Sequence, residues 1–244
     1  MTRTTAVDAL VEAARELADA ASQLAFEPPA EYVYNPLQYA WDAHETYLRM
    51  YGGRGAKVLL TGMNPGPWGM AQTGVPFGDV EHVRDWLGVS QPVDRPPREH
   101  PKRPVLGFDC PRREVSGQRL WGWAKARYGE PGRFFEHFFV YNYCPLAFLE
   151  ASGRNRTPDK LPAAEQAPLR AICDKAFRAA VAALKPDWIA GVGAYAEARA
   201  RAALQGVDGL RFARIPHPSP ASPAANRGWS AAAEAALTAQ GVPY

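Results

Sequence analysis

Apolar residues recur every three or four positions over residues 5–24, at Leu10, Val11, Ala14, Leu17, Ala18, Ala21 and Leu24. That spacing gathers them on one face and predicts an amphipathic helix. Thr5, with Asp8 three residues on, supplies its start, and Pro28 and Pro29 end it. Leu37, Ala40, Trp41, Tyr47 and Leu48 predict a second helix over about 36–50. Four short apolar runs read as strands: 57–61 (KVLLT), 138–143 (FFVYNY), 188–192 (WIAGV) and 211–215 (RFARI). Helical patterns separate most of them, the clearest over 163–184 and 194–204. Strands alternating with helices make βαβ units, so the expected class is α/β with a parallel sheet. Ligands of such sheets sit outside the carboxyl ends of the strands, which directs attention to the segment after each strand.

The 244 residues, 47% of them hydrophobic, are enough for one core, and no repeat or low-complexity linker divides them. A single domain is expected. Residues 89–113 are rich in Pro and Arg without periodicity and read as one long irregular loop. No run approaches the roughly 18 apolar residues of a membrane span, and Asp8, Glu12 and Glu16 stand where a signal peptide would be apolar. Cys110, Cys144 and Cys173 lie far apart and make no Cys-x-x-Cys or Cys/His spacing. A disulfide scaffold, a structural zinc and a four-cysteine iron–sulfur cluster are thereby excluded, and a reducing cytoplasmic setting is expected.

The net charge of +3 is unevenly spread. Residues 1–50 carry three basic and eight acidic side chains, residues 94–133 ten and five, residues 151–244 twelve and seven. An acidic front and a basic remainder fit a surface that meets a polyanion.

Three post-strand segments offer chemistry. The first, 61–80 (TGMNPGPWGMAQTGVPFGDV), is rich in Gly and Pro: Gly lets backbone approach a ligand and Pro stiffens the loop. It holds no phosphate-loop or dinucleotide fingerprint. Asn64 presents an amide at the mouth of the sheet, or makes a turn ahead of Pro65; Phe77, between Pro76 and Gly78, presents an aromatic face to a flat ligand, or fills the core. The second, 140–146 (VYNYCPL), places the polar Asn142 at the end of an apolar strand. A carboxamide there can accept one hydrogen bond and donate another, which matches N3–H and O4 of uracil and mismatches cytosine; backbone can also satisfy it. The third, 215–229 (IPHPSPASPAANRGW), holds His217 between two prolines, with Ser219 and Ser222 as donors for phosphates and Asn226 opening the last helix. The other four histidines make no metal-ligand spacing with His217.

The stretches GMNPGPWGMAQTGVPFG (62–78), NYCPL (142–146) and HPSPASPAANRGW (217–229) closely resemble the single-strand-selective monofunctional uracil-DNA glycosylases. CPRREVSGQRLWGW (110–123) is similar to the middle segment of that family, and the likeness runs collinearly from about residue 35 to 229. It implies the uracil-DNA glycosylase fold, a central four-stranded parallel sheet flanked by helices, in one domain, with residues 1–34 as an N-terminal helical extension. It also implies hydrolysis of the N-glycosidic bond of uracil in single- and double-stranded DNA, leaving an abasic site for base excision repair, by a monomer that needs no metal or other cofactor. By position, Asn64 would place the attacking water and His217 would stabilise the departing base. Phe77 would stack on the ring, Asn142 would bond its edge, and Met63 and Gly66 would line the pocket through backbone. The loop 219–222 would pinch the phosphate backbone.

The uracil-DNA glycosylases that carry GQDPYH place a Tyr where this chain has Gly66, and that Tyr blocks a C5 methyl. Gly66 therefore implies room for 5-hydroxymethyluracil. Animal relatives carry Arg after HPSP where this chain has Ala221, so that contact with duplex is lost and Arg227 is the nearest replacement. Trp68 stands where Phe is usual. The recognised motifs contain no Lys to form a Schiff base, which fits base release without strand cleavage. The competing readings are a member of the superfamily acting on hypoxanthine or xanthine, and a catalytically silent reader of uracil or single-stranded DNA.

Overall fold

Three of the four apolar runs become strands in which every residue is buried, which is why they read as unbroken hydrophobic stretches. The computed structural model describes residues 3–244, except for the side chains of Arg3, Thr4 and Ala224. The chain begins with α1 (Arg3–Ser22), β1 (Tyr32–Tyr34), α2 (Pro36–Tyr39), α3 (Trp41–Tyr51) and β2 (Val58–Gly62). Then come the single turn α4 (Met70–Thr73), α5 (Val115–Tyr128), α6 (Pro131–His137) and β3 (Phe138–Asn142). The rest comprises β4 (Ala147–Leu149), β5 (Asn155–Arg156), α7 (Ala163–Leu184), β6 (Trp188–Val192), α8 (Ala194–Ala203), β7 (Arg211–Ile215), α9 (Pro223–Asn226) and α10 (Trp229–Ala239).

The four expected strands form one parallel sheet in the order β3-β2-β6-β7. Register pairs Gly62 with Asn142, Thr61 with Gly191, and Val192 with Ile215, so the four carboxyl ends share one edge. The outermost strand β7 exposes Arg211 and Arg214 and buries Ala213 and Ile215; charged side chains on an edge discourage further pairing. Large apolar side chains fill the space between sheet and helices, among them Trp121, Phe134, Phe135, Phe138 and Phe139, none more than 1% exposed. Burial on that scale is worth about 1.5–3 kcal/mol per side chain.

The structure departs from the sequence reading in three places. The helix expected over 36–50 is two, α2 and α3, split at Ala40 (φ −116°, ψ 31°). The Ala40 carbonyl packs so close to Gly74 that a Cβ there would lie 2.6 Å away, and this contact fixes the bend. A second, antiparallel sheet, β1-β4-β5, was not expected; its strands of two or three residues are too short for alternation to register. It anchors the long loop 89–113, since Tyr34 Oη donates to the Arg103 carbonyl at 2.8 Å and accepts from the His100 N–H at 2.7 Å. Asn226 closes α9 rather than opening the last helix, because its amide donates to the Pro220 carbonyl at 2.8 Å and Gly228 (φ +118°) turns the chain before α10. The amphipathic helix read over 5–24 forms as α1 and walls the main core. Leu10, Ala14, Leu17, Ala18 and Ala21 are buried, and the helix packs against α7 and α3.

Candidate active site

Loops at the shared carboxyl edge enclose a cavity of about 480 Å³. Asn64, Phe77, Asn142 and His217 all line it, together with Met63 and Gly66. Parallel pairing makes this possible: Asn142 ends β3 opposite Gly62 at the end of β2, Asn64 lies two residues beyond, and His217 two residues beyond β7.

Asn142 is 7% exposed. Its Nδ2 donates to the Met70 sulfur at 3.3 Å, a weak acceptor, while its Oδ1 is buried without a partner among the described residues. A buried amide oxygen left unpaired costs about 1–3 kcal/mol, a cost that a donor entering the cavity would relieve. Gly62 is what lets the amide and the Phe77 ring approach: a Cβ there would lie 2.3 Å from Asn142 Oδ1 and 2.6 Å from the ring.

Phe77 is half-buried and holds φ +54°, a region that disfavours residues with a side chain. Strain of that kind persists only where surroundings enforce it. Here the Phe77 carbonyl accepts from Trp121 Nε1 at 3.1 Å and from the Asp79 N–H at 2.8 Å. The ring lines the cavity, its centre 6.2 Å from that of the His217 ring.

Asn64 donates through Nδ2 to the Leu146 carbonyl at 3.1 Å and to the Pro65 carbonyl at 3.4 Å. Its Oδ1 accepts no hydrogen bond among the described residues, so the amide is oriented with its acceptor uncommitted. His217 accepts at Nδ1 from the Ser219 N–H at 3.0 Å. Burial pushes its imidazole pKa down, favouring the neutral ring. With Nδ1 acting as acceptor, the single ring hydrogen of that form sits on Nε2.

Ser219, Ala221 and Ser222 line the same cavity. The loop folds on itself: the Ala221 N–H donates to Ser219 Oγ at 3.2 Å and the Ser222 N–H to the Ser219 carbonyl at 2.9 Å. Trp229 Nε1 holds the Pro216 carbonyl at 2.7 Å. Arg227 is exposed beyond α9 and is not among the residues lining the cavity. Trp68 lies between the lining residues Pro67 and Gly69, with the guanidinium carbons of Arg103 and Arg112 at 5.1 and 5.2 Å from its ring centre, so the long basic loop reaches the rim.

The sequence reading missed Glu114, which lines the cavity just ahead of α5. Its Oε1 accepts from the Ser116 N–H at 3.3 Å. Burial pushes its pKa up against the hydrogen bonds from Ser116, and the nearby Asp79 carboxylate adds to the rise. Asp79, fully buried, is the anchor behind it, accepting from His82 Nδ1 (2.8 Å), from Arg113 Nε and Nη2 (2.8 and 2.7 Å) and from the Glu114 N–H (3.2 Å). Burial alone would raise the Asp79 pKa, but these bonds and the Arg113 charge hold its carboxyl well below the usual range. The only signal in the sequence was an acidic residue at the start of a helical pattern, which reads equally as a cap. Among the described residues no three His, Cys, Asp or Glu side chains are grouped to hold a metal ion, and no helix is long and apolar enough to cross a membrane.

Residues 50–237 match the model of the uracil DNA glycosylase superfamily. The single-strand selective monofunctional uracil DNA glycosylase of Mus musculus is 52% identical over 222 residues, covering 91% of this chain and 80% of that protein. The Bos taurus protein of the same name is 50% identical over 227 residues, covering 93% and 84%. Among solved structures, SMUG2 of Pedobacter heparinus superposes with a TM-score of 0.59 over 93% of this chain and 94% of its own; at 18% identity that likeness speaks for the fold alone.

Proposed function

Since the chain belongs to the uracil DNA glycosylase superfamily, in its single-strand selective monofunctional branch, we propose that its cavity takes one flipped uracil and that the side chains around it break the N-glycosidic bond. The protein is a uracil-DNA glycosylase. The observation that carries the reading is the buried, unpartnered Oδ1 of Asn142 in a cavity walled by the Phe77 ring. N3–H of uracil supplies the missing donor, and O4 accepts from Nδ2 in place of the Met70 sulfur.

Uracil leaves as an anion spread over O2, N1 and O4, while the sugar gains oxocarbenium character. Nε2–H of His217 donates to O2 as that charge develops, which is where a fixed donor stabilises the transition state by a few kcal/mol. Asn64 has no useful pKa and so is no base; its free Oδ1 orients the water that attacks C1′. Loss of the base leaves an abasic site. No lysine is among the residues lining the cavity, so no amine is placed to cut the strand.

Extruding the base costs a few kcal/mol, least from single strands and mismatches. Ala221, at the exposed loop tip, offers no wedge to fill a duplex gap. Single-stranded DNA is therefore the preferred substrate, then U·G, then U·A, and 5-hydroxymethyluracil is accepted beside uracil.

End-labelled oligonucleotides with one uracil, hypoxanthine or xanthine test this. The expected result is an alkali-labile site at uracil, fastest in single strands. Cleavage confined to the purines would favour a purine-specific enzyme, and tight binding without alkali-labile sites a silent reader; either overturns the proposal.

A further inference from the structure

The space beside Gly66 is filled by a carboxylate. A Cβ on Gly66 would lie 2.7 Å from Oε2 of Glu114, and one on Gly69 would lie 2.9 Å from Cγ of the same side chain. The absence of a side chain at residue 66 thus does more than widen the pocket: it lets Glu114 become part of its wall. The carboxylate cannot easily swing away. Oε1 is tied to the Ser116 N–H at the start of α5, and the Glu114 N–H is tied to Asp79, which also clamps Arg113.

Uracil in this cavity, the reading on which this inference rests, has three edges to satisfy. Asn142 takes N3–H and O4, and His217 takes O2. The C5 edge is left for the wall formed by Gly66 and Glu114. We propose that Glu114 is the specificity-determining residue for the C5 substituent, accepting a hydrogen bond from a hydroxyl carried there and excluding a methyl.

A hydroxyl donating to a carboxylate makes a charge-assisted bond, stronger than a neutral one. With hydrogen at C5 there is space for the carboxylate to stay solvated. A methyl removes that solvation and returns nothing, and sites built around such a polar group discriminate strongly against the analogue that lacks the partner. One acidic side chain then separates 5-hydroxymethyluracil and uracil, which are taken, from thymine, which must be spared.

The test measures single-turnover excision from single-stranded oligonucleotides that differ only in carrying uracil, 5-hydroxymethyluracil or thymine. Wild type, Glu114→Ala and Glu114→Asp are compared. Asp keeps a capping carboxylate for α5 while drawing the acceptor back by one methylene, so it stands in if the Ala variant fails to fold. The hydroxymethyluracil-to-uracil rate ratio is expected to fall on the order of tenfold in both variants, and the thymine-to-uracil ratio to rise in Glu114→Ala. A purely structural role would lower all rates by one factor and leave the ratios intact; unchanged ratios overturn the assignment while leaving uracil excision standing. Wild-type protein that removes uracil but not 5-hydroxymethyluracil also overturns it, and wild-type protein that removes neither overturns the underlying reading as well.

Discussion

Arg119 on α5 grips Asn226 at the end of α9, its Nη2 donating to Oδ1 at 3.0 Å, and its Nη1 holds the Pro218 carbonyl at 2.7 Å. One guanidinium thus ties the middle and the far end of the loop that carries His217, Ser219 and Ser222 to the helix behind it. On the proposed function Arg119 would act as a positioning residue. In Arg119→Ala, kcat/KM on uracil DNA should fall about tenfold, consistent with the loss of two charge-assisted bonds partly open to water. Arg119→Lys should recover part of the loss, since an ammonium reaches one acceptor but lacks the planar fork. Steady-state kinetics on single-stranded substrate decide it, and equal rates in all three proteins would remove Arg119 from the site.

Asn64→Ala and His217→Leu remove the proposed water-orienting acceptor and the proposed leaving-group donor. Each should lower the single-turnover rate by about 10²–10³-fold. Affinity for a uracil oligonucleotide should stay within a few-fold, because on the proposed reading Phe77 and Asn142 still hold the base. Rapid-quench kinetics alongside anisotropy titrations check both halves; a near wild-type rate in either variant would contradict its role.

Gly62→Ala puts a methyl where Asn142 Oδ1 and the Phe77 ring now stand, at 2.3 and 2.6 Å. Both must move, so excision should collapse by at least about a hundredfold, and misplacement of even 1 Å is enough for such a loss. Stability should fall by about 1–3 kcal/mol from overpacking. Urea unfolding and single-turnover rates measured together separate the two effects.

His44 makes stability fall as the pH drops. It is buried, its Nδ1–H donates to the Gly74 carbonyl at 2.8 Å, and burial holds its pKa down to about 4 against an ordinary 6.5. The unfolded chain therefore takes up a proton before the folded one does. Stability from this group is complete above pH 6.5 and is lost as pH falls through the window from 6.5 to 4. Between pH 7 and pH 5 the loss should be about 2 kcal/mol. Urea titrations across that range measure it, and His44→Asn, whose amide can keep the bond to Gly74 without titrating, should flatten the slope.

The strands, the parallel class and the three reactive segments were legible because each rests on local pattern. A strand buried on both faces reads as an apolar run, and a long motif around Asn64 or His217 keeps its identity without knowledge of neighbours. The break at Ala40 and the small antiparallel sheet were not legible, since each involves contacts with distant segments, and Asn226 misled because its side chain bonds Pro220 six residues back instead of opening the next helix.

By itself the sequence determined which side chains are available for the chemistry and, through the order of its strands, that they meet at one edge. Only the tertiary structure decided how each is poised. The Ser219 N–H assigns the hydrogen of His217, burial without a partner turns Asn142 into a receptor for a donor, and the close approach of Glu114 to Gly66 makes a polar wall out of a missing side chain. The surroundings of Asn142 and Glu114 come from residues brought together from far along the chain, and the bond between Ser219 and His217, though local, depends on a loop conformation that composition does not specify.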